Sequence, residues 1–186
     1  MTLFKLAKEN IFLSPTKEIN KEYFRGEVIM IEVLNQSNSI EHELYHVSFK
    51  NGALTTLHYH ESEQILIGTK GRGIVCVVKG DIDENLFAET NTTILNEGDV
   101  ISIPPFVWHF HGSLEGDFSH IAFRNRYRHD SNLDKQIAKN LWEKDFLNHL
   151  THLHTDEVHQ ISVRIEQKVK EIVQSELEKN KIKNKK

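Results

Sequence analysis

Short β-rich runs separated by turn-forming residues fill the chain from about residue 25 to about residue 125. The runs are EVIMIEVL, HELYHVSF, ILIG, GIVCVVKG, TTILNEGDVISIPP and HIAF, and KNGA, KGRG and NEGD supply the turn signals. Many short strands at this spacing are typical of a sandwich or barrel and exclude a helical bundle in this region. The sequence therefore predicts a mainly β domain over residues 27–128. It follows an irregular N-terminal arm, residues 1–26, with at most one short helix or edge strand.

The hydrophobic pattern changes to helical spacing in the remainder of the chain. Two segments carry it, the first with Leu133, Ile137, Leu141, Trp142, Phe146 and Leu150, and the second with Val158, Ile161, Ile165, Val169, Ile172 and Leu177. Asp130 or Ser131 is a suitable N-cap for the first segment. We predict two helices in a C-terminal extension, residues 129–186, that ends in a lysine-rich solvated tail. The apolar stripe of the second helix requires a cover, either the barrel or a partner helix.

Composition narrows the class of protein. A chain of 186 residues is long enough for one domain with a real core plus an appendage. The single cysteine, Cys76, excludes an intramolecular disulfide, and its valine-rich surroundings predict a buried strand residue in a reducing compartment. With 23 Lys and Arg against 27 Asp and Glu, the net charge of -4 gives no electrostatic reason to expect a nucleic-acid partner. No segment is typical of a secretion signal or a membrane span, so we expect a cytoplasmic protein with no membrane partner.

One strand region carries metal-competent side chains at alternating positions. Residues of equal parity point to the same face of an extended strand, and His58, His60 and Gln64 share that parity. Glu61 and Glu63 have the opposite parity, so we expect them to face solvent. The pattern places two imidazoles and a carboxamide, but no carboxylate, on one side of a sheet.

A second histidine pair lies about fifty residues further on. His109 and His111 have equal parity and follow the turn at Pro104 and Pro105. The inner face of a small barrel gathers residues that are distant in sequence, so either histidine can complete a site that the first cluster begins.

With these residues the chain resembles the cupins over about residues 40–125. The first cupin motif is a glycine, five residues, His-x-His, three or four residues, a Glu, six residues and a glycine. Its positions are occupied here by Gly52, His58, His60, Gln64 and Gly71. Glutamine therefore stands in place of the usual acid.

The second cupin motif follows in the expected order. It is a glycine, five residues, Pro-x-Gly, two residues, a histidine and a polar residue four positions later. Gly98, Pro104 and His109 match it, whereas Phe106 replaces the glycine and Ser113 replaces the usual asparagine. Both motifs together are a much more specific indication than either motif alone.

The resemblance implies a jelly-roll β-barrel that binds a divalent metal ion through His58, His60, Gln64 and His109. Four neutral ligands leave close to the full +2 charge on such an ion, which strengthens its polarisation of a bound carbonyl or hydroxyl and weakens its retention. Manganese is the expected metal, and iron, nickel, zinc and copper stay open. The resemblance also implies a homodimer.

The segment VWHFHGS, residues 107–113, is similar to a subgroup of short cupins that bind manganese or a similar ion and include hydroxynitrile lyases. In that likeness His111 lies beside the ion without binding it and is the candidate catalytic base. The residues expected to line or close the substrate pocket are Tyr45, Val47, Phe49, Phe106 and Trp108.

These features predict a metal-dependent enzyme that acts on a small oxygen-bearing organic molecule, with lyase or isomerase chemistry first. An Fe(II) dioxygenase is an alternative, because histidine-rich sites with open positions also bind oxygen. A non-catalytic binding or sensor module, whose tail helices transmit the signal, is the alternative from a different class.

Overall fold

A computed structural model describes residues 7–80, 87–129, 135–150 and 152–183. A 3-10 turn (Lys21–Tyr23) precedes the strands. The strands are β1 (Phe24–Arg25), β2 (Val28–Leu34), β3 (His42–Phe49), β4 (Leu54–Thr55), β5 (His58–His60), β6 (Gln64–Lys79), β7 (Glu89–Asn96), β8 (Val100–Ile103), β9 (Trp108–Asn125) and β10 (Asn140–Trp142). The helices are α1 (Glu143–Asn148) and α2 (Thr155–Lys183).

The two longest strands organise an antiparallel sheet that curls on itself. β9 pairs with β3, β4, β5 and β6, and β3 continues to β2 on one side. On the other side β6 pairs with β7 and β8. The curled sheet and the two following helices confirm the predicted mainly β fold with C-terminal helices.

The predicted turn at KGRG is wrong, because β6 runs through it as one bent strand. Register shifts against β9 lie between Gly68 and Gly73, and Gly71 has a φ of 74°, which suits glycine. Because of these bulges, the residues of β6 that face the barrel interior switch from even-numbered to odd-numbered positions. Leu66 faces the interior at an even position, whereas Val75 does so at an odd one.

β9 bends in the same way. His111 lines the interior cavity at an odd position, and His120 and Ala122 line it at even positions. Gly116, with a φ of 66°, lies in the bend between these stretches. The alternation of residue positions therefore predicts which residues face inward within each straight stretch of a strand, but it cannot be continued past a bulge.

Two apolar clusters pack on opposite faces of the same strands. The inner cluster consists of Tyr45, Val47, Phe49, Ala53, Leu66, Val75, Leu95, Ile103, Phe118 and Ala122. The outer one joins Ile74, Cys76, Val78 and Phe110 of the sheet to Ile161, Ile165 and Val169 of α2. The barrel therefore covers the apolar stripe of α2, and the prediction of a helix in this segment is confirmed. Cys76 is a free, fully buried strand residue, also as predicted.

The first C-terminal helix is shorter than predicted. Ile137 forms an isolated bridge with Tyr127, and Leu141 and Trp142 lie in β10, so helical structure begins only at Glu143. Pairing with β5 overrides the local helical spacing here. The predicted N-cap at residues 130–131 and Leu133 lie outside the described residues. None of the described helices is both long and apolar enough to cross a membrane.

Candidate metal centre

Three buried histidines meet where β5 pairs with β9. His58 and His60 flank the single middle residue of β5, and His58 is in register with His109 of β9. One ligand nitrogen from each ring lies within 4.8 Å of the others. The His58 and His109 ring centroids are 4.2 Å apart, and those of His58 and His60 are 5.0 Å apart.

Hydrogen bonds fix the ring orientation of all three histidines. Nδ1 of His58 lies 2.9 Å from the Thr56 carbonyl oxygen, and Nδ1 of His109 lies 2.8 Å from the Val107 carbonyl oxygen. A carbonyl only accepts, so each Nδ1–H donates and each Nε2 keeps its lone pair. Nδ1 of His60 lies 2.6 Å from Oδ1 of Asn140 and 2.9 Å from Nη1 of Arg124, and the shorter contact, to the acceptor, favours the same Nδ1–H tautomer. The triad therefore presents three Nε2 lone pairs to one point.

Buried acceptor atoms in this region lack hydrogen-bond donors among the described residues, and a metal ion would take the place of those donors. Nε2 of His60, Nε2 of His109 and Oε1 of Gln64 are buried and have no hydrogen-bond partner within the described part of the chain. The Gln64 amide is close enough to His60 to raise the pKa of that imidazole as a minor effect. Buried acceptors without a donor are costly, and a divalent cation would satisfy all of them at once. The histidine triad could thus hold a metal ion, and Gln64 lines the same cavity as His58 and His60.

Burial keeps the three imidazoles neutral, the form that binds metals. Burial lowers the pKa of His109 to about 4, and burial and the neighbouring histidines lower the pKa of His58 well below 6.5. For His60 burial is again the largest cause, followed by the charge of Arg124. A neutral imidazole needs no deprotonation before it coordinates an ion.

His58 and His60 border a cavity of about 250 Å³ inside the barrel, whereas His109, the third histidine of the triad, does not line it. Of the predicted site residues, the cavity is lined by Tyr45, Val47, Phe49, His58, His60, Gln64 and His111. The structure thus brings both predicted histidine pairs and Gln64 to one place.

Phe106 and Trp108 do not line this cavity, contrary to the sequence-based expectation. Trp108 has the opposite parity to His109, so it lies on the outer face and packs edge-on against Phe146 of α1. Phe106 is 42% exposed and packs near Tyr59. Its φ of 62° lies in the left-handed region, where the resembling motif has glycine.

His111 lies beside His58 of the triad and lines the cavity. Its Nδ1 lies 3.2 Å from Nε2 of His120, and its ring centroid is 5.5 Å from that of His58. Since Nδ1 is engaged, Nε2 is the nitrogen left to interact with a bound molecule. Burial, followed by the neighbouring His120, lowers the pKa of His111 well below 6.5.

Several cavity residues were not found by sequence reasoning: Lys17, His120, Arg124, Asn140 and Trp142. His120 has the opposite parity to His111, and only the glycines between them indicated a change of face. Lys17 comes from the N-terminal arm, which has no periodic pattern. Asn140 and Trp142 were assigned to a helix.

Comparisons with known proteins agree with this architecture. The cupin family model matches residues 10–150. A search of curated proteins found no match. A cupin-like protein from Thermotoga maritima is 25% identical, with a TM-score of 0.50, and the match covers 80% of this chain and 96% of that one.

Two further solved structures share the fold at lower identity. An oxalate oxidase is 18% identical, with a TM-score of 0.55 and coverage of 92% of this chain and 83% of the other. An oxalate decarboxylase variant from B. subtilis is 16% identical, with a TM-score of 0.58, and the match covers 81% of this chain but only 36% of that protein. The family match spans most of the sequence and agrees with the histidine triad inside the barrel: the chain belongs to the cupin family.

Proposed function

We propose that this protein is a metal-dependent enzyme that binds a small oxygen-bearing organic substrate beside a divalent ion held by His58, His60, His109 and Gln64. The observation that carries the proposal is a group of buried acceptor atoms next to a cavity that have no hydrogen-bond partner among the residues the structure describes. A structural core histidine normally has both nitrogens satisfied or solvated. Here the Nδ1 atoms of the triad have partners, whereas Nε2 of His60, Nε2 of His109 and Oε1 of Gln64 have none within the described ranges.

The ligand set favours Lewis-acid chemistry. All four proposed ligands are neutral, so a bound divalent ion, with manganese first, would keep most of its charge and polarise a carbonyl or hydroxyl oxygen. This property suits a lyase or isomerase, which needs a developing negative charge on oxygen to be stabilised.

His111 is the proposed proton-transfer residue. It lines the cavity beside His58, and its Nδ1 is occupied by His120, so Nε2 is directed to the substrate side. A neutral imidazole at this position can accept a proton from a substrate hydroxyl or return it to a product. Val47 and Phe49 provide apolar walls that limit the access of water.

The charges around the cavity favour a substrate with a carboxylate or another anionic group. Lys17, Arg124 and Glu18 line the cavity, so two cations face one carboxylate there. The carboxylates that pair with the two cations, Glu32 and Glu43, line a neighbouring cavity that Lys17 also borders. Burial alone would lower the pKa of Lys17, but its hydrogen bond to Glu32 and the nearby charges raise it, so Lys17 stays cationic. Because the oxalate enzymes share only the fold with this chain, the preference for an anion rests on these two cations.

A ligand and turnover screen tests the proposal. Chelator-treated protein is loaded with Mn²⁺ and mixed with small hydroxy acids, keto acids and their amides, and NMR follows both binding and conversion. We expect acids to bind more tightly than their amides, and Lys17→Gln to reduce that difference while Lys50→Gln, at an exposed lysine, does not. We expect His111→Phe to bind the same acid with greatly reduced turnover.

The alternatives give different results in the same screen. Oxygen consumption with the Fe²⁺-loaded protein and an acid would favour a dioxygenase. Metal-independent binding without turnover would contradict the enzymatic proposal and favour a binding module. Full turnover by His111→Phe would remove that residue from the mechanism.

A further inference from the structure

The metal-binding histidines of β5 contact a strand that follows the barrel. β10 is antiparallel to β5, and its register pairs Asn140 with His60 and Trp142 with His58. The pairing continues beyond both ends, since Glu61 N–H donates to the Lys139 carbonyl and Glu143 N–H donates to the Leu57 carbonyl. β10 is therefore held by a backbone ladder that fixes its side chains against the two ligands.

Asn140 contacts His60 at the atom that sets its tautomer. Oδ1 of Asn140 lies 2.6 Å from Nδ1 of His60, and the same oxygen accepts from Nη1 of Arg124. The guanidinium is always a donor, so this contact identifies the amide atom that faces His60 as the oxygen. Nη1 of Arg124 also lies 2.9 Å from Nδ1 of His60, so this nitrogen can either donate to Asn140 or accept from Arg124. The Asn140 oxygen makes the shorter contact to each of the two groups, and we therefore assign Nδ1–H of His60 as the donor to Asn140, with the lone pair on Nε2.

The orientation of Arg124 is itself fixed. Its Nε and Nη2 donate to Oε2 of Glu43 at 2.8 and 2.5 Å, which leaves Nη1 for Asn140. The path from Glu43 through Arg124 and Asn140 to His60 consists of side-chain hydrogen bonds. Without the Asn140 oxygen, Nη1 of Arg124 would be the remaining partner of His60 Nδ1 and would favour the opposite tautomer.

Trp142 packs on His58, the other proposed metal ligand of β5. Its ring centroid is 4.3 Å from that of His58 at an interplanar angle of 24°, and Tyr23 stacks on Trp142 at 4.5 Å and 1°. The Tyr23 hydroxyl donates to a carboxylate oxygen of Asp145 in α1 at 3.1 Å. The aromatic stack thus ties His58 to both the N-terminal arm and the helical extension.

We infer that Asn140 and Trp142 are positioning residues of the metal centre: Asn140 holds His60 in the Nδ1–H tautomer, and Trp142 holds the ring plane of His58. The inference rests on the proposed metal site. Its consequence is that the metal centre is completed by the strand that begins the C-terminal extension, and not by the barrel strands alone.

Mn²⁺ titration of the chelator-treated full chain, followed by the EPR signal of free Mn²⁺, tests the role of Asn140. Loss of a hydrogen-bond partner of a ligating histidine typically weakens metal binding about 10–100-fold. We expect Asn140→Ala to raise Kd by about that factor. Asn140→Asp, which keeps an acceptor at the same place, should restore Kd to within a few-fold of the wild type.

The matched control is Asn180→Ala, at an α2 asparagine that accepts from Arg72. Wild-type Kd in Asn140→Ala would overturn the inference while leaving the metal site intact.

A measurement without metal separates this inference from the proposed function. ¹⁵N NMR of histidine-labelled apoprotein reports which ring nitrogen of His60 carries the proton. The wild type should show the Nδ1–H tautomer, and Asn140→Ala a mixture. An Nε2–H tautomer in the wild type would overturn the role of Asn140, whereas an apoprotein with the expected tautomer that binds no metal would overturn the proposed function alone.

Fluorescence tests the placement of Trp142. The chain has two tryptophans, so Trp108→Phe leaves Trp142 as the only tryptophan, Trp142→Phe leaves Trp108, and excitation at the red edge of the absorption selects tryptophan over tyrosine. Co²⁺ should quench Trp108→Phe strongly and Trp142→Phe weakly, and Trp142→Ala should bind Co²⁺ more weakly than Trp142→Phe. Equal quenching of the two phenylalanine variants, or wild-type affinity in Trp142→Ala, would overturn the role assigned to Trp142.

Discussion

The inner and outer faces of β6 and β9 differ in whether their buried side chains carry polar atoms without hydrogen-bond partners. On the outer face Ile74, Cys76 and Phe110 pack against α2, and the contact is apolar. On the inner face histidines and a glutamine are equally buried, yet several of their polar atoms have no partner among the described residues. Both faces gain free energy from apolar burial, and the inner face in addition retains a cost that a bound ion would remove. The comparison therefore supports the inner face as the place of the proposed metal-binding function.

The largest expected effect is on stability and comes from the outer face. Ile165 of α2 is 1% exposed, and Ile165→Ala should lower the free energy of unfolding by about 2–5 kcal/mol through lost burial and a cavity. Chemical denaturation measures this, with Val163→Ala, at a 48% exposed residue of the same helix, as the control. Metal content per folded chain should not change. Loss of metal from folded Ile165→Ala would show that metal binding on the inner face depends on packing on the outer face.

The inner face should make the metal-free protein sensitive to acid. Burial lowers the pKa of His120 to about 3. Above pH 6.5 this group contributes no pH dependence, because both the folded and the unfolded forms are neutral. Below that pH the histidine is protonated in the unfolded chain but stays neutral in the folded chain. The free energy of unfolding therefore falls by up to about 1.4 kcal/mol per pH unit for each such histidine.

Denaturation of the apoprotein between pH 7.5 and about pH 5 measures this slope. His120→Phe should reduce the slope by the contribution of one proton, whatever its effect on stability at neutral pH. A wild type whose stability is independent of pH over this range would show that the inner histidines are not buried in solution.

A carboxylate at position 64 should strengthen metal binding. Gln64→Glu supplies the acid that the first cupin motif normally has, and its charge should tighten Mn²⁺ binding by about tenfold or more. Mn²⁺ titration measures the change, with Gln167→Glu on an exposed face of α2 as a control of equal charge. No change in Gln64→Glu would show that the carboxamide is not a ligand.

The smallest effect concerns the strained turn before His109. Phe106 has a φ of 62°, so Phe106→Gly relieves strain but adds entropy to the unfolded chain. The two effects should cancel to within about 1 kcal/mol, and Phe106→Ala, which keeps the strain and loses the ring, should be less stable than Phe106→Gly. Thermal unfolding of the pair measures the difference, and an alanine variant more stable than the glycine variant would contradict the assigned strain.

Sequence reasoning predicted the site where side-chain direction follows from local extended structure. His58, His60 and Gln64 share a parity, His109 and His111 share another, and the structure brings them together. It predicted the barrel for the same reason, since strand length and turn residues are local properties.

It failed where a distant partner decides the conformation. The bulges of β6 and β9 arise from pairing between these strands, so KGRG was predicted as a turn and His120 was overlooked. Residues 137–142 have helical spacing, but pairing with β5 makes Asn140–Trp142 a strand. Lys17 reaches the cavity from an arm without a periodic pattern. These residues complete the candidate site, and each is positioned by a contact that sequence spacing does not encode.

Elemental analysis of untagged protein purified without chelator, beside a His58→Ala/His109→Ala double variant, tests the central claim most directly. We expect close to one equivalent of manganese, or of iron, nickel, zinc or copper, in the wild type and background levels in the double variant, whose fold should be intact by circular dichroism. Equal metal in both proteins, or none in either after supplementation, would contradict it. The inner histidines would then be walls of a binding cavity and not the ligands of an ion.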